Sequence, residues 1–495
     1  MGGGLLQLVA HGAQDAYLTG NPQITFWKGL FKRHTNFAME PFRINLTGMP
    51  MWGQKQSATL GRHADLAYST YLSIQLPATA RFNNAERNIF WNNEQGRLGY
   101  NLLDYVEIEV GGQLIDRLYS EWLYLWDTLS SDYNTSFKLH QMVGAGLDAG
   151  YATLPSAASC VRATGRESHP NVIFVPLPFF YTKNPGAALP LIALQYHEVK
   201  ININWNKSQL VGTLTSDGLV PSGDYNIASL VAPPPPTSVA LYVDYIYLDV
   251  DERRRMAQES HEYLIEQVQF NEDKGISSAS NRIDLTFNHP VKELVWVVQP
   301  ERYTNCKIAQ PRSGATISAV AGAPRPNVGR LAPFTYTYPN QRVNDAGAAT
   351  TSYTQPVFEQ WIQVNGQDRM DRRHGDYYNK VQPYQHHSGT MRPIGFQTFA
   401  AGDANRPQGI NEGNANRPAV QQAIYSYSFA LKPEEQQPSG SCNFSRIDTA
   451  TIVMNMSGDY IVDESTDNSW NVRVYATNYN ILRIMSGMAG LAYAN

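Results

Sequence analysis

Cysteine, charge and long apolar runs are all scarce in this chain. The three cysteines, Cys160, Cys306 and Cys442, are odd in number and lie far apart, and no CxxC pair occurs. This usage argues against a disulfide framework and favours a reducing compartment. No segment approaches the ~18 consecutive apolar residues of a membrane-spanning helix, and the N-terminus lacks the basic segment of a signal peptide. We therefore expect a chain that is soluble by itself or through assembly.

The low charge also limits the possible partners. Charged residues make up 17% of the 495 residues, below the ~25% of ordinary soluble domains. Lys and Arg total 39 against 43 for Asp and Glu, which gives a net charge of −4. Proteins that wrap nucleic acid non-specifically are usually strongly basic, so we expect no direct binding of nucleic acid. A weakly charged surface is instead typical of a protein that covers its surface by assembling.

Catalytic motifs are missing as well. There is no GxxxxGK[ST] phosphate loop. His261-Glu262 begins like a zinc-binding HExxH motif, but Ile265 stands where the second histidine is required. His386 and His387 are adjacent, so on a strand they would face opposite ways, and the HxH pair of a metal-binding cupin does not occur.

The paired acids favour the same interpretation. Glu107 with Glu109, and Glu434 with Glu435, have the pattern of solvated carboxylates on exposed faces. The sequence therefore predicts that the protein is not an enzyme, with no catalytic residue, no metal ligand and no cofactor.

The residues that are abundant indicate β-structure. The chain has 29 Tyr, 37 Gly, 29 Pro and 18 Phe, a composition of strands and turns. Alternating patterns predict strands at Phe42–Leu46, Ser69–Leu76, Tyr105–Val110, Val172–Val175, Glu198–Trp205, Val239–Val250, Arg282–Phe287, Val291–Val298, Trp361–Val364, Tyr425–Leu431, Ile447–Met454 and Trp470–Tyr475. Helical spacing predicts only two helices in the first half, at Asp116–Leu129 and Ser136–Met142. Long loops rich in Gly, Pro, Ala, Thr and Asn connect these elements.

A charged connector lies near the middle of the chain. The strand pattern that ends at Val250 is followed by Asp-Glu-Arg-Arg-Arg at 251–255, and a strand pattern resumes after it. Asp249 or Asp251 is suited to cap a short helix there. These features predict an N-terminal arm at 1–27, a first β-domain at 28–250, a connector at 251–264 and a second β-domain at 265–495. The aromatic and basic segment Phe26–Phe37 is predicted as an edge strand, with a phosphate- or membrane-facing strip as the alternative.

The two halves share a local pattern. VEIEVGGQ at 106–113 is matched by QWIQVNGQ at 360–367, and each is an alternating strand that enters a tight turn of Gly or Asn. This match favours a tandem duplication. Many short strands, few helices and long connections predict an all-β fold of two tandem eight-stranded jelly-roll β-sandwiches with long loops and a few short helices.

Several stretches, in the same order, resemble the double jelly-roll major capsid proteins of the nucleocytoplasmic large DNA viruses. They span almost the whole chain and are GGLLQLVA (3–10), YLTGNPQITF (17–26), RHTNFA (33–38), LPLIALQYHEV (189–199), QPSGSCNFSRID (437–448) and YNILRIMSGMAGLAY (479–493). VEIEVGGQLID with YSEW, and the connector, are also similar to stretches of that family.

The resemblance implies a structural role in a virion. It implies a homotrimer that forms a pseudo-hexagonal capsomer, and an icosahedral shell that is assembled in the host cytoplasm or a viral factory. The implied partners are neighbouring capsomers, minor capsid and penton proteins, and an internal virion membrane on the inner face. The N-terminal arm would lie on that face, with Leu5, Leu6, Leu8 and Val9 as inner-face or lattice contacts. A lectin-like β-sandwich that recognises host or surface glycans through its loops is the alternative function.

Overall fold

The structure is a computed structural model of the chain. It describes residues 3–10, 12–27, 29, 31–77, 81–82, 85–86, 88–92, 97–144, 160–163, 172–215, 233–301, 304, 333–334, 336, 338–343, 349–389, 422–456 and 469–493.

Strands dominate the described residues of both halves. The strands of the first half are β1 (Phe37–Asn45), β2 (Lys55–Thr59), β3 (Leu66–Gln75), β4 (Arg81–Phe82), β5 (Ala85–Glu86), β6 (Asn88–Asn92), β7 (Leu103–Val110), β8 (Gln113–Tyr119), β9 (Cys160–Ala163), β10 (Val172–Pro176), β11 (Leu189–Pro190), β12 (Val199–Trp205), β13 (Gly212–Thr215) and β14 (Ser238–Leu248). Those of the second half are β15 (His261–Ile276), β16 (Ser280–Asp284), β17 (Pro290–Pro300), β18 (Tyr338–Val343), β19 (Ala349–Thr354), β20 (Val357–Val364), β21 (Gln367–Asp368), β22 (Arg373–His374), β23 (Ile424–Ser428), β24 (Cys442–Asn443), β25 (Ala450–Met456), β26 (Trp470–Met485) and β27 (Met488–Leu491).

The helices are short. They are α1 (Gly3–Val9), α2 (Asp15–Thr19), α3 (Leu98–Asn101), α4 (Ser120–Ser130), α5 (Tyr133–Val143), α6 (Phe180–Lys183), α7 (Ser208–Val211), α8 (Val250–Gln258) and α9 (Gln382–His386). A π-helical turn, Tyr377–Val381, runs directly into α9, and 3-10 turns lie at Pro185–Ala187 and Phe444–Arg446. Helix α8 separates the strands of the two halves, and the Asp249 side chain caps it by accepting a hydrogen bond from the Val250 N–H. This confirms the predicted cap.

Strand order identifies the fold. Sheet 1 has the order β1-β14-β3-β10 and sheet 2 the order β2-β12-β7-β8. Sheets 3 and 4, in the second half, have the orders β15-β26-β17-β23 and β16-β25-β20-β21. When the eight main strands of each half are numbered along the chain, both halves read 1-8-3-6 and 2-7-4-5, and all pairs are antiparallel. This is the jelly-roll order, so the predicted pair of tandem jelly rolls is confirmed.

Smaller features repeat between the halves. A two-residue strand after the sixth main strand pairs with the third in each, as β11 with β3 and β24 with β17. Both tight turns between the fourth and fifth main strands have positive φ at two consecutive positions, Gly111 and Gly112 (59° and 83°) and Asn365 and Gly366 (49° and 75°). Glycine and asparagine tolerate this left-handed backbone. The turn signal that the sequence repeats therefore marks the same corner of each sandwich.

Two local predictions are wrong. The predicted helix Asp116–Leu129 starts late, because residues 116–118 pair with Ile108, Glu107 and Val106 in the β7–β8 ladder and α4 begins at Ser120. The predicted edge strand Phe26–Phe37 is also wrong, because the described residues from 26 to 36 form no strand. Strand β1 begins at Phe37, which pairs with Leu248, the last residue of β14. Strand β1 therefore begins where its partner β14 ends.

Candidate assembly surfaces

The N-terminal arm exposes apolar side chains. In α1 the side chains of Leu6, Leu8 and Val9 are 59%, 70% and 73% exposed. Leu5 lies in the same helix, and its side chain falls outside the described residues. Further along, Phe26 is 99% exposed. Burying a side chain of this size stabilises a protein or a complex by ~1.5–3 kcal/mol. The arm would therefore gain stability if these side chains were buried against a partner.

A basic segment adjoins this apolar one. Lys32, Arg33 and His34 are exposed next to the exposed Phe31. His34 Nδ1 donates a hydrogen bond to the Thr35 carbonyl at 2.7 Å, and its ring lies edge-on to Phe37. The aromatic and basic residues thus lie outside both sandwiches and precede the first strand of sheet 1.

The junction between the jelly rolls is buried and contains charged groups. Glu121, in α4, accepts hydrogen bonds from the hydroxyls of Tyr475 and Tyr336 at 2.6 and 3.0 Å. Its carboxylate also pairs with Arg473 at 2.8 Å. All four side chains are mostly or wholly buried, and three of them come from the second half. A buried charge is tolerated only when it is paired and hydrogen-bonded, so these groups hold α4 against sheet 3.

A second polar group joins β8 and α6 to β15. The Val268 N–H donates to Asp116 Oδ1 at 3.0 Å, and Lys183 Nζ lies 2.9 Å from Glu266 Oε2. Lys292 pairs with the other oxygen of Glu266. Burial raises the pKa of Asp116 to about 7. Burial also opposes ionisation of Glu266, but the two lysines outweigh it and lower the pKa of that carboxyl.

The third contact centres on His387, just after α9. Its Nε2 meets buried Glu293 of β17 and its Nδ1 lies 3.2 Å from Glu434. Burial would lower the pKa of His387, but the two carboxylates raise it to about 9. The next two residues reach the end of α4: Ser388 Oγ donates to the Ser130 carbonyl at 2.7 Å, and the Gly389 N–H donates to the Leu129 carbonyl at 2.6 Å.

Aromatic packing fills the space between these polar contacts. The Tyr119 and Phe270 ring centroids are 4.6 Å apart, and those of Trp122 and Tyr475 are 5.4 Å apart. Most of the described buried apolar side chains of both halves form one continuous cluster. The two jelly rolls therefore pack as one block.

The residues that resemble parts of catalytic or metal-binding motifs have structural roles. The His261-Glu262 pair opens β15, with His261 Nε2 2.8 Å from the Met256 carbonyl and Glu262 paired with Arg483 at 2.7 Å. Within the described ranges, no group of three His, Cys, Asp or Glu is placed to hold a metal ion. Two of the acids predicted to be solvated are not. Glu107 is buried and paired with Lys55 and Arg117 at 2.9 and 2.5 Å. Glu434 is partly buried against His387.

No sequence motif marks the junction acids. Asp116 and Glu121 are acids in segments whose other positions are mainly apolar, and this mixed pattern was their only signal. Their partners Val268, Tyr475 and Arg473 lie more than 150 residues away.

Comparisons with known proteins agree with the fold. A family model described as "Major capsid protein N-terminus" matches residues 25–249. A second, "Large eukaryotic DNA virus major capsid protein", matches residues 252–409 and 411–490. The chain belongs to the major capsid proteins of large eukaryotic DNA viruses. Its function is that of a capsid protein, as the resemblance implied.

Relatives in this family match over the full length. The major capsid proteins of Pyramimonas orientalis virus and Phaeocystis pouchetii virus are 41% and 40% identical, with 100% of this chain and of each relative covered. A chain of the PBCV-1 virus capsid is 30% identical with a TM-score of 0.62, over 95% of this chain and 100% of that one. The Faustovirus major capsid protein, 12% identical, has the same fold with a TM-score of 0.62, over 96% of this chain and 94% of that one. In the part of this capsid protein that the structure describes, no helix is long and apolar enough to cross a membrane.

Proposed function

We propose that this capsid protein forms homotrimers that act as pseudo-hexagonal capsomers and tile an icosahedral shell. The observation that carries the proposal is the identical strand order of the two jelly rolls. Three copies of a chain with two similar halves place six similar units around one axis, and closed cyclic symmetry satisfies a head-to-tail contact. The role is purely structural and needs no catalytic residue or cofactor.

The buried junction supports a rigid capsomer. Charge pairs around Glu121 and Glu266 connect the two halves, as do the hydrogen bonds from Ser388 and Gly389 to the end of α4. Aromatic rings fill the space between these contacts. A block whose halves cannot hinge presents its outer surfaces at fixed angles, which a regular lattice requires. In this proposal the arm is 1–27, the jelly rolls are 28–250 and 265–495, and residues 251–264 connect them. The first strand of the second jelly roll, β15, already begins within this connector, at His261.

The exposed arm is assigned to the inner side of the shell. Leu5, Leu6, Leu8 and Val9 act there as lattice or inner-face contacts, because an arm whose described apolar side chains are exposed in one chain gains stability by docking. The partners are neighbouring capsomers, minor capsid and penton proteins, and an internal virion membrane. The protein resides in the virion and is assembled in the host cytoplasm or a viral factory.

Light scattering of the purified protein tests the trimer. Three times 55.3 kDa gives a mass of about 166 kDa. A mass near this value, with pseudo-hexagonal particles in negative-stain images, supports the proposal. A stable mass near 55.3 kDa at all protein concentrations contradicts it.

A further inference from the structure

One sheet face of the second jelly roll is covered inside the chain. Tyr475 and Phe270 of sheet 3 point away from their own sandwich towards Trp122 and Tyr119 of the first jelly roll. The covering residues belong to α4 and to the end of β8, the fifth main strand of the first half. The first jelly roll therefore covers sheet 3 with its fifth strand and the helix that follows.

The corresponding face of the first jelly roll is only partly covered within the chain. Ala188 and Met256 pack over Leu66 and Ile246 at one end of the face, and the rest remains accessible. On sheet 1, Leu241 and Val243 point into the core, and Tyr242 between them points outward. The Tyr242 ring stacks on Tyr71 at 5.3 Å, and Tyr71 meets Phe174 edge-on at 6.1 Å. Phe174 is 36% exposed, and Val172, Met39 and Phe37 are more exposed still. An aromatic row thus crosses β14, β3 and β10, and exposed apolar side chains lie beside it.

The second jelly roll presents a matching element. The segment Tyr377–His386 follows its fifth main strand, as α4 does in the first half. Tyr378 and Gln382 of this segment are buried within their own half, and Tyr378 lies 5.3 Å from Trp296. Tyr384 is 88% exposed and Val381 is also exposed. Val381 and Tyr384 are three residues apart on a helical segment, so both lie on one side of it.

We infer that sheet 1 of one copy is covered by the segment Tyr377–His386 of a second copy of this chain. Within one chain, helix α4 packs on sheet 3. The inferred contact is the same kind of packing, made between two chains. The inference rests on the proposed trimer and assigns its contact surfaces. Sheet 1 and Tyr377–His386 are different surfaces, so the contact is heterologous and closes when three copies complete the ring.

The accessible face fits another copy better than a lipid surface. Its centre is a row of stacked tyrosines, and tyrosine is enriched at protein interfaces because one side is apolar and the hydroxyl finds a partner. Asp244, on the same face, is partly buried, and burial raises the pKa of its carboxyl. A second copy of this chain also supplies the segment Tyr377–His386, which is the counterpart of the helix α4 that covers sheet 3.

Site-specific photo-crosslinking tests the contact. Benzoylphenylalanine replaces Tyr242 in one sample, Tyr384 in a second and exposed Tyr493 in a control. The mass of each sample is first measured by light scattering. After irradiation, chains are separated by denaturing electrophoresis, and crosslinked peptides are identified by mass spectrometry. We expect crosslinks between chains from position 242 to peptides of 377–386, and from position 384 to peptides of β3, β10 or β14, in about 166 kDa trimers.

The outcomes separate the inference from the proposed function. Trimers whose crosslinks from 242 and 384 map to other segments, or match those of the control, overturn the assigned contact and leave the trimer standing. A monomeric unmodified protein overturns both. As a second measurement, Phe174→Glu is expected to shift the mass from about 166 towards 55.3 kDa, and the matched Phe358→Glu on β20 is expected to leave it unchanged. If Phe174→Glu trimerises as well as the unmodified protein, the contact is overturned.

Discussion

The buried pair Glu121–Arg473 allows a sharp test of what holds the two jelly rolls together. Its separation, 2.8 Å, is nearly the same as the 2.7 Å of the Glu262–Arg483 pair. The first pair is almost fully buried and the second is more than half exposed. If distance alone mattered, the two pairs would contribute equally to the free energy of unfolding. If burial matters, the buried pair contributes much more than the exposed one.

Glu121→Ala should destabilise the protein severely. Removing one partner of a buried ion pair leaves an uncompensated charge and costs about 3–5 kcal/mol. The hydroxyls of Tyr336 and Tyr475 lose their acceptor as well. Whole domains are stable by only ~5–15 kcal/mol, so a large part of the folding free energy would be lost. For Glu262→Ala, the matched surface change, we expect a loss of at most about 1 kcal/mol.

Urea unfolding of both variants measures the difference. Tryptophan fluorescence reports on the junction, because Trp122 packs on Tyr475 there, and far-ultraviolet circular dichroism reports on the strands. Glu121→Gln/Arg473→Met removes both charges and should recover much of the loss. Equal shifts of the unfolding midpoint for Glu121→Ala and Glu262→Ala would refute the conclusion that burial decides the strength of these pairs.

Other predictions concern pH, glycine packing and the arm. The Asp116 pKa of about 7 lies above its unfolded value of 3.8, so stability should fall as the pH rises from 4 to 7. Asp116→Asn should remove that slope of up to ~1.4 kcal/mol per pH unit, as measured by urea titrations. The His387 pKa of about 9 lies above 6.5, so its contribution is complete below pH 6.5 and is lost as the pH rises through 9. His387→Gln should flatten thermal stability in that window, and an unchanged profile would contradict the assignment. Gly389→Ala should lower the melting temperature, because its Cβ would overlap the Leu129 carbonyl oxygen. Gly275→Ala, which has open space but a φ of 76°, measures the cost of backbone strain without a clash. Deleting residues 1–27 should leave the trimer mass near its expected value and impair particle assembly, and normal particles would refute the proposed role of the arm.

Local patterns predicted many of the elements because they depend on local chemistry. Alternating side chains indicated most main strands, and two positive-φ turns were visible as Gly111-Gly112 and Asn365-Gly366. The acidic cap at Asp249 marked the start of α8. Strand β2, KQSAT, has too few large apolar residues to be recognised. It is held by its ladder to β12 and by the hydrogen bond from Trp205 to Gln56.

The sequence by itself determined the β-class, the tandem repeat and, through resemblance, the capsid family. Only the tertiary structure decided the strand order, the start of α4 and which acidic side chains are buried. Glu107 alternates along its strand as a solvated acid does, and Asp116 lies where the sequence predicted the start of a helix, yet both are buried because distant partners meet them. Periodicity reports which side chains share a face. Whether that face meets water, the other jelly roll or another chain depends on contacts between residues far apart in the sequence.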